Sequence, residues 1–314
     1  MSGSPMTQQL YKVLVNLKSC HGGDLTWTPG AWHEVKGELE ACSRGLHLTT
    51  QPAHWWVDGC EVWPVAEALG VLGDSNANND FKVVSRRVKL GDRPLNHEEL
   101  VALNIFHTGK HTVDSTRAIA LVNSRVEARG DSQVFARGSS QVFARGSSQV
   151  VAWDNSRVEA LDSSHVDARD NSHVDARGDS RVEALDSSHV VAWDNSRVEA
   201  LDSSHVVAWG NSRVDARDNS HVDARGDSHV DARGDSRVVA RGNSRVVARG
   251  NSQVVAWNNS RVEVWSNSRV EARENSNLIL WSGTATLHDA AAAIDRRSEA
   301  PKMLTAEHAK GVQQ

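Results

Sequence analysis

The stretch Asn243–Gly250, NSRVVARG, is one copy of an eight-residue unit, and twenty such copies run from Asn123 to Ser282 almost without a break. Ser244, Val246 and Ala248 alternate with Arg245, Val247 and Arg249. Alternation at period two is the signature of a strand, whose successive side chains point to opposite faces. The constant small residues are therefore read as inward. The variable positions (Arg, His or Gln, then Glu, Asp, Val or Phe, then Arg, Trp or Leu) are read as outward. The Gly-Asn, Gly-Asp, Asp-Asn and Asp-Ser junctions supply residues that tolerate positive φ, so each octad is expected to end in a tight turn.

A short fixed period means a stacked, quasi-one-dimensional architecture rather than a globule. Two octads per coil are expected, because Ser, Val and Ala suit a thin core between two facing sheets. One octad cannot fold alone. Burying a Val contributes roughly 1.5–3 kcal/mol, whereas ordering eight backbones costs about 8–16 kcal/mol. Stability must then come from ladders between coils. The fold class is mainly β: a β-solenoid with a small α/β (α+β) N-terminal domain and a short C-terminal capping helix.

Val150–Val166 recurs letter for letter at Val190–Val206, a shift of five octads. An odd shift exchanges the faces of a two-sided coil. Such exchange argues against a dedicated catalytic face.

The chain divides into a flexible leader (1–9), an N-terminal domain (10–110), the repeat domain (111–282) and a C-terminal part (283–314). In the last octad Leu278 and Leu280 replace the small inward residues and widen the core. Thr286–Glu299 is Ala-rich and reads as the capping helix, followed by Pro301 and a polar, mobile tail. In the N-terminal domain, strands are expected over Leu10–Leu17, Gly45–Thr50, Cys60–Leu69 and Phe81–Leu90, with Pro64 marking an edge. A helical turn is expected at Pro52–Trp56. A helix is expected over Asn96–His107, capped by Asn96 with Glu99 three residues on.

The formal net charge of the 314 residues is −5, so no bulk basic field points to nucleic acid. The three Cys are an odd number, which speaks against a disulfide framework and for a reducing compartment. No apolar run reaches membrane-spanning length, and MSGSPMTQQL lacks a signal-peptide core. The expected location is cytoplasmic or virion-associated.

Cys42–Trp56, CSRGLHLTTQPAHWW, is the most motif-like segment outside the repeats. Together with Trp27–Trp32 (W-x-x-G-x-W), Cys42–His47 (C-x-x-G-L-H) and Pro52–Trp63, joined to short solenoid repeats, it resembles uncharacterised proteins of actinobacteria and their bacteriophages. That resemblance implies context rather than chemistry. The same segment also resembles the strand-turn that lines the nicotinamide pocket of ADP-ribosyltransferase-like folds, through Gly45, His47, Thr49 and Pro52. The usual catalytic Glu has no clear counterpart there. Cys42, Gly45, His47 and His54 are the N-terminal candidates. Cys20, His21 and Cys60 add ligand types suited to zinc, but the spacings match no standard knuckle. Asp-rich turns evoke calcium, yet calcium-binding rolls use nine residues, not eight. No metal and no cofactor are expected.

On the outward surface His189, Val191 and Trp193 should stand beside His205, Val207 and Trp209, and His173, His189, His205 and His221 should stack. Apolar ladders of this kind mark contact surfaces. Further outward apolar residues are Phe135, Phe143, Trp153, Trp257, Trp265 and Trp281. The expected role is a non-enzymatic structural or interaction protein. Its expected partners are a protein, a glycan or another copy. The alternative is nucleotide handling by the N-terminal domain.

Overall fold

The computed structural model describes residues 9–19, 25–40, 44–57, 59–73, 82–298 and 300–306. The chain forms two compact units, 1–106 and 107–314.

The first unit is built on an antiparallel sheet. Its strands are β1 (Tyr11–Val15), β2 (Lys18–Ser19), β3 (Trp32–Glu34), β4 (Leu46–Thr49), β5 (Glu61–Gly73) and β6 (Lys82–Leu90). β1 pairs with β4, β4 with β6, β6 with β5, and β5 back with β1, which closes a ring. β5 serves two partners because it is long and bulged between Val65 and Glu67. Pro64, expected at an edge, instead lies opposite Tyr11 where β5 changes partner. The core holds Leu14, Trp27, Leu46, Leu48, Trp63 and Val88. Among the described residues of this unit, helical structure is limited to a 3-10 turn at Pro52–Trp55 and the five-residue helix His97–Val101. The α+β expectation is corrected accordingly. The helix start was legible: Asn96 accepts from the Glu99 amide at 3.0 Å, and Glu99 accepts from the Asn96 amide at 2.7 Å. It stops early, and Ile105–Phe106 is extended.

The second unit is a β-solenoid. Alternate octads enter alternate sheets, so each coil contributes one strand to each. The first sheet, here sheet I, has 12 strands, from Gly109–Asp114 to Thr284–Leu287. The solenoid therefore has about 12 turns. Sheet II holds the intervening parallel strands, from Arg117–Ala120 to Ala292–Asp295. Pairing is parallel and in register sixteen residues apart: His189, Val190, Val191 and Ala192 lie beside His205, Val206, Val207 and Ala208. The coil is thus two octads, as the small core residues require. Val150 lies in sheet II and its sequence twin Val190 in sheet I, so the five-octad duplication does exchange faces.

The inward Val and Ala are almost fully buried, and so is the second-position Ser of every octad. A buried hydroxyl needs a partner. Ser196 Oγ donates to the Trp193 carbonyl at 2.6 Å and reaches the Ala176 carbonyl at 3.0 Å. The three-residue step back recurs at Ser180, Ser212 and Ser228. The repeat uses Ser because the turn leaves a buried carbonyl that only a short donor can reach. Each turn passes through positive φ, as at Asp202 (54°) and Gly210 (66°), a conformation open to Gly, Asn and Asp.

The expected capping helix is absent. Thr284–Leu287 and Ala292–Asp295 are two further parallel strands, and Lys302–Thr305 pairs antiparallel with the second. Asp289 makes the intervening turn at φ 53°. Ala-rich sequence favours helix only weakly, and the unpaired edge of the preceding coil offers a full ladder instead. The polar segment expected to be mobile therefore begins with a strand. Leu278 and Leu280 do face inward, beside Val262 and Val264. Among the described residues, no helix is long and apolar enough to cross a membrane.

Candidate functional site

The register of sheet I brings the expected surface residues together. His189 and His205 are neighbours in the third octad position, Val191 and Val207 in the fifth. Trp193 and Trp209 follow in the seventh, with rings 5.4 Å apart and 8° from parallel. The six residues form a grid two coils deep and three positions wide. The imidazoles extend into a longer stack. His173, His189, His205 and His221 lie 5.0, 5.1 and 4.8 Å apart in succession, within 10° of parallel. Burial holds the His189 and His221 pKa values below the usual imidazole value, and their stacked neighbours add to the effect. Arg237 closes the stack, 3.4 Å from His221 Nε2.

The sequence pattern alone does not mark the borders of the grid. Asp175 and Asp223 flank the two valines along their row. Asp175 pairs with Arg177 at 2.9 Å, and Asp223 with Arg225 at 2.6 Å. The Arg225 guanidinium also lies 4.5 Å from the Trp209 ring centre. The valines and tryptophans are thus an apolar window within charged rows. Elsewhere outward aromatics are largely covered by Arg: Arg117 over Phe135, Arg125 over Phe143 and Arg273 over Trp257. Trp265 stacks on Trp281 at 5.0 Å.

Sheet II carries a groove of about 970 Å³. Its lining includes Arg181, Arg197 and Arg213 from the third position and Glu183, Glu199 and Asp215 from the fifth.

The N-terminal candidates do not assemble into a described catalytic set. Cys42, Cys20 and His21 lie outside the described residues. Gly45 has φ 145°, and a Cβ there would lie 1.9 Å from Val84 Cγ2. Its need for glycine is steric. His47 lies on β4 opposite Val84. Its pKa falls to about 4, through burial first and then Lys82 and Lys12. Its Nε2 is buried without a hydrogen-bond partner. The His47 carbonyl accepts from the buried Lys12 Nζ at 2.9 Å. His54 sits in the 3-10 turn, its amide donating to the Gln51 carbonyl at 3.1 Å. Cys60 is buried. Among the described residues, no group of three or more His, Cys, Asp or Glu could hold a metal ion.

The fold defines the second unit as a β-solenoid with in-register side-chain ladders. Compared with protein-family models, curated proteins and solved structures, the chain finds no match.

Proposed function

We propose that this chain is a non-enzymatic interaction protein. Its solenoid is a scaffold, and the grid of His189, Val191, Trp193, His205, Val207 and Trp209 is its contact surface. The stacked Trp193–Trp209 pair carries the reading. The two indoles stack on each other beside an apolar strip, and aromatic residues are the usual anchors of contact surfaces. A glycan is the favoured partner, with its apolar ring faces against the indole pair and the valines and its hydroxyls toward the imidazole row. A protein partner would use the same anchors.

The test is a tryptophan-fluorescence titration of the full chain with a panel of soluble oligosaccharides, alongside Trp193→Ala/Trp209→Ala. Saturable quenching lost in the variant supports the reading. No response across the panel removes the glycan assignment. Incubation of the full chain with NAD is expected to release no nicotinamide, and release would overturn the non-enzymatic reading.

A further inference from the structure

The two walls of the sheet II groove are neutralised differently, and that difference decides what can lie in it. One wall is the row of third-position side chains His165, Arg181, Arg197, Arg213, His229 and Arg245, one per coil. The other is the fifth-position row, two residues further along each strand and roughly 6.6 Å away. Seventh-position arginines of the same sheet hold the acids of that second row. Asp167 pairs with Arg169 at 2.7 Å, Glu199 and Asp215 share Arg217 at 3.0 Å, and Asp231 pairs with Arg233 at 2.7 Å and Arg249 at 3.2 Å. Glu183 also attracts Arg169. The third-position row is not compensated in this way. Among the described residues, Arg181, Arg197, Arg213 and Arg245 ion-pair with no carboxylate. Arg181 and Arg245 reach instead the rings of His165 and His229, at 3.3 and 3.4 Å. Exposed cations thus repeat at the strand spacing, ~4.8 Å, along one edge of a groove that runs from Gln149 to Arg245, six spacings or roughly 29 Å.

We propose that this groove binds an unbranched acidic polysaccharide lying along the solenoid axis. Its carboxylate or sulfate groups sit on the Arg row, where each guanidinium offers a fork of N–H donors. Its hydroxyls donate to the carboxylates of the opposite wall. The ligand must therefore carry anions on one edge and hydrogen-bond donors on the other, which sugar rings do. A single-stranded nucleic acid fits poorly: the groove lining holds no Phe, Tyr or Trp on which bases could stack, and a phosphodiester brings no donor to the acidic wall. An extended acidic peptide fits poorly as well, because its same-side carboxylates recur every ~6.6 Å and fall out of step with cations ~4.8 Å apart. A chain of pyranose rings advances by about one strand spacing per ring, so successive rings meet successive coils. The inference goes beyond the proposed contact surface and is independent of it: the Trp193 grid lies on sheet I, and this groove on sheet II.

The test is isothermal titration calorimetry of the full chain at low ionic strength with oligogalacturonates of graded length, with heparin fragments, and with fully methyl-esterified oligogalacturonate as the neutral control. One of the two acidic series is expected to bind, with an affinity that rises with chain length until the groove is spanned, and the neutral control is not. The carboxylate and sulfate series tell the two kinds of anion apart. Arg197→Gln/Arg213→Gln removes two charge-assisted contacts and should weaken binding about tenfold or more. Gln149 already stands in that row, so the variant keeps the fold. Arg157→Gln/Arg237→Gln, the same change in the third position of sheet I, should bind like the wild type. Trp193→Ala/Trp209→Ala should also bind like the wild type, which separates this groove from the Trp193 grid. Glu199→Ala/Asp215→Ala should weaken the polysaccharide and strengthen oligothymidylate. Failure of both acidic series to bind, equal binding by the Arg197→Gln/Arg213→Gln variant, or tighter binding of oligothymidylate or polyglutamate by the wild type would overturn the proposal.

Discussion

The imidazole ring of His189 lies 5.1 Å from that of His205 and 10° from parallel. The sixteen-residue register forces this approach, because identical positions in successive coils stand side by side. An unfolded His titrates near 6.5, while His189 and His221 are held lower in the folded chain. As pH falls below about 6.5, the unfolded chain therefore takes up protons that the folded ladder does not. Stability falls with pH from that point and levels off once the folded rings also titrate. The melting temperature should drop between about pH 7 and pH 5. His189→Gln/His205→Gln should flatten that slope, since Gln141 and Gln253 occupy the same row. Both proteins keep His47, so its titration cancels in the comparison. Equal slopes would refute the ladder's contribution.

Val206 is 2 % exposed and stacks between Val190 and Val222. Val206→Asp places an unpaired carboxylate between coils and should cost roughly 4–5 kcal/mol in urea unfolding. Val207→Asp, one residue on and outward, should stay within about 0.5 kcal/mol. Asp223 already stands in that row.

Ser196→Ala removes the donor to the Trp193 carbonyl. Denaturant melts should show a loss of about 1 kcal/mol. The outward Arg197→Ala should change little.

Gly45→Ala should destabilise the first unit by more than about 2 kcal/mol, because the new methyl must displace Val84 from a strained backbone position. Near-ultraviolet circular dichroism of the full chain would follow the loss of Trp27 and Trp63 packing. A native spectrum and melt for this variant would contradict the steric account.

His47 should stay neutral down to about pH 4, as read by its imidazole resonances in NMR. A midpoint near 6.5 would mean the ring is solvated rather than buried.

The solenoid was legible because its information is local and repeated. Ser, Val and Ala at alternate positions, with a turn residue every eighth, leave one solution for side-chain direction. The Trp193 and His189 grid followed from the same arithmetic. The C-terminal strands were not legible, because Ala292 and Ala293 carry no strand preference of their own. The coil before them supplies the template. In the first unit, the ring closure depends on β5 pairing with β1 through one half and β6 through the other, and no local pattern encodes that division.

Disulfide trapping tests the two-octad coil most directly. Strands about 4.8 Å apart fall within the Cα separation a disulfide spans. Arg181→Cys/Arg197→Cys should close an intramolecular disulfide under mild oxidation, detected by mass spectrometry of proteolytic fragments. Arg181→Cys/His189→Cys, one octad apart on opposite sheets, and Arg181→Cys/His205→Cys, three octads apart, should not. Closure of the three-octad pair in place of the two-octad pair would mean a triangular coil, and would contradict the account.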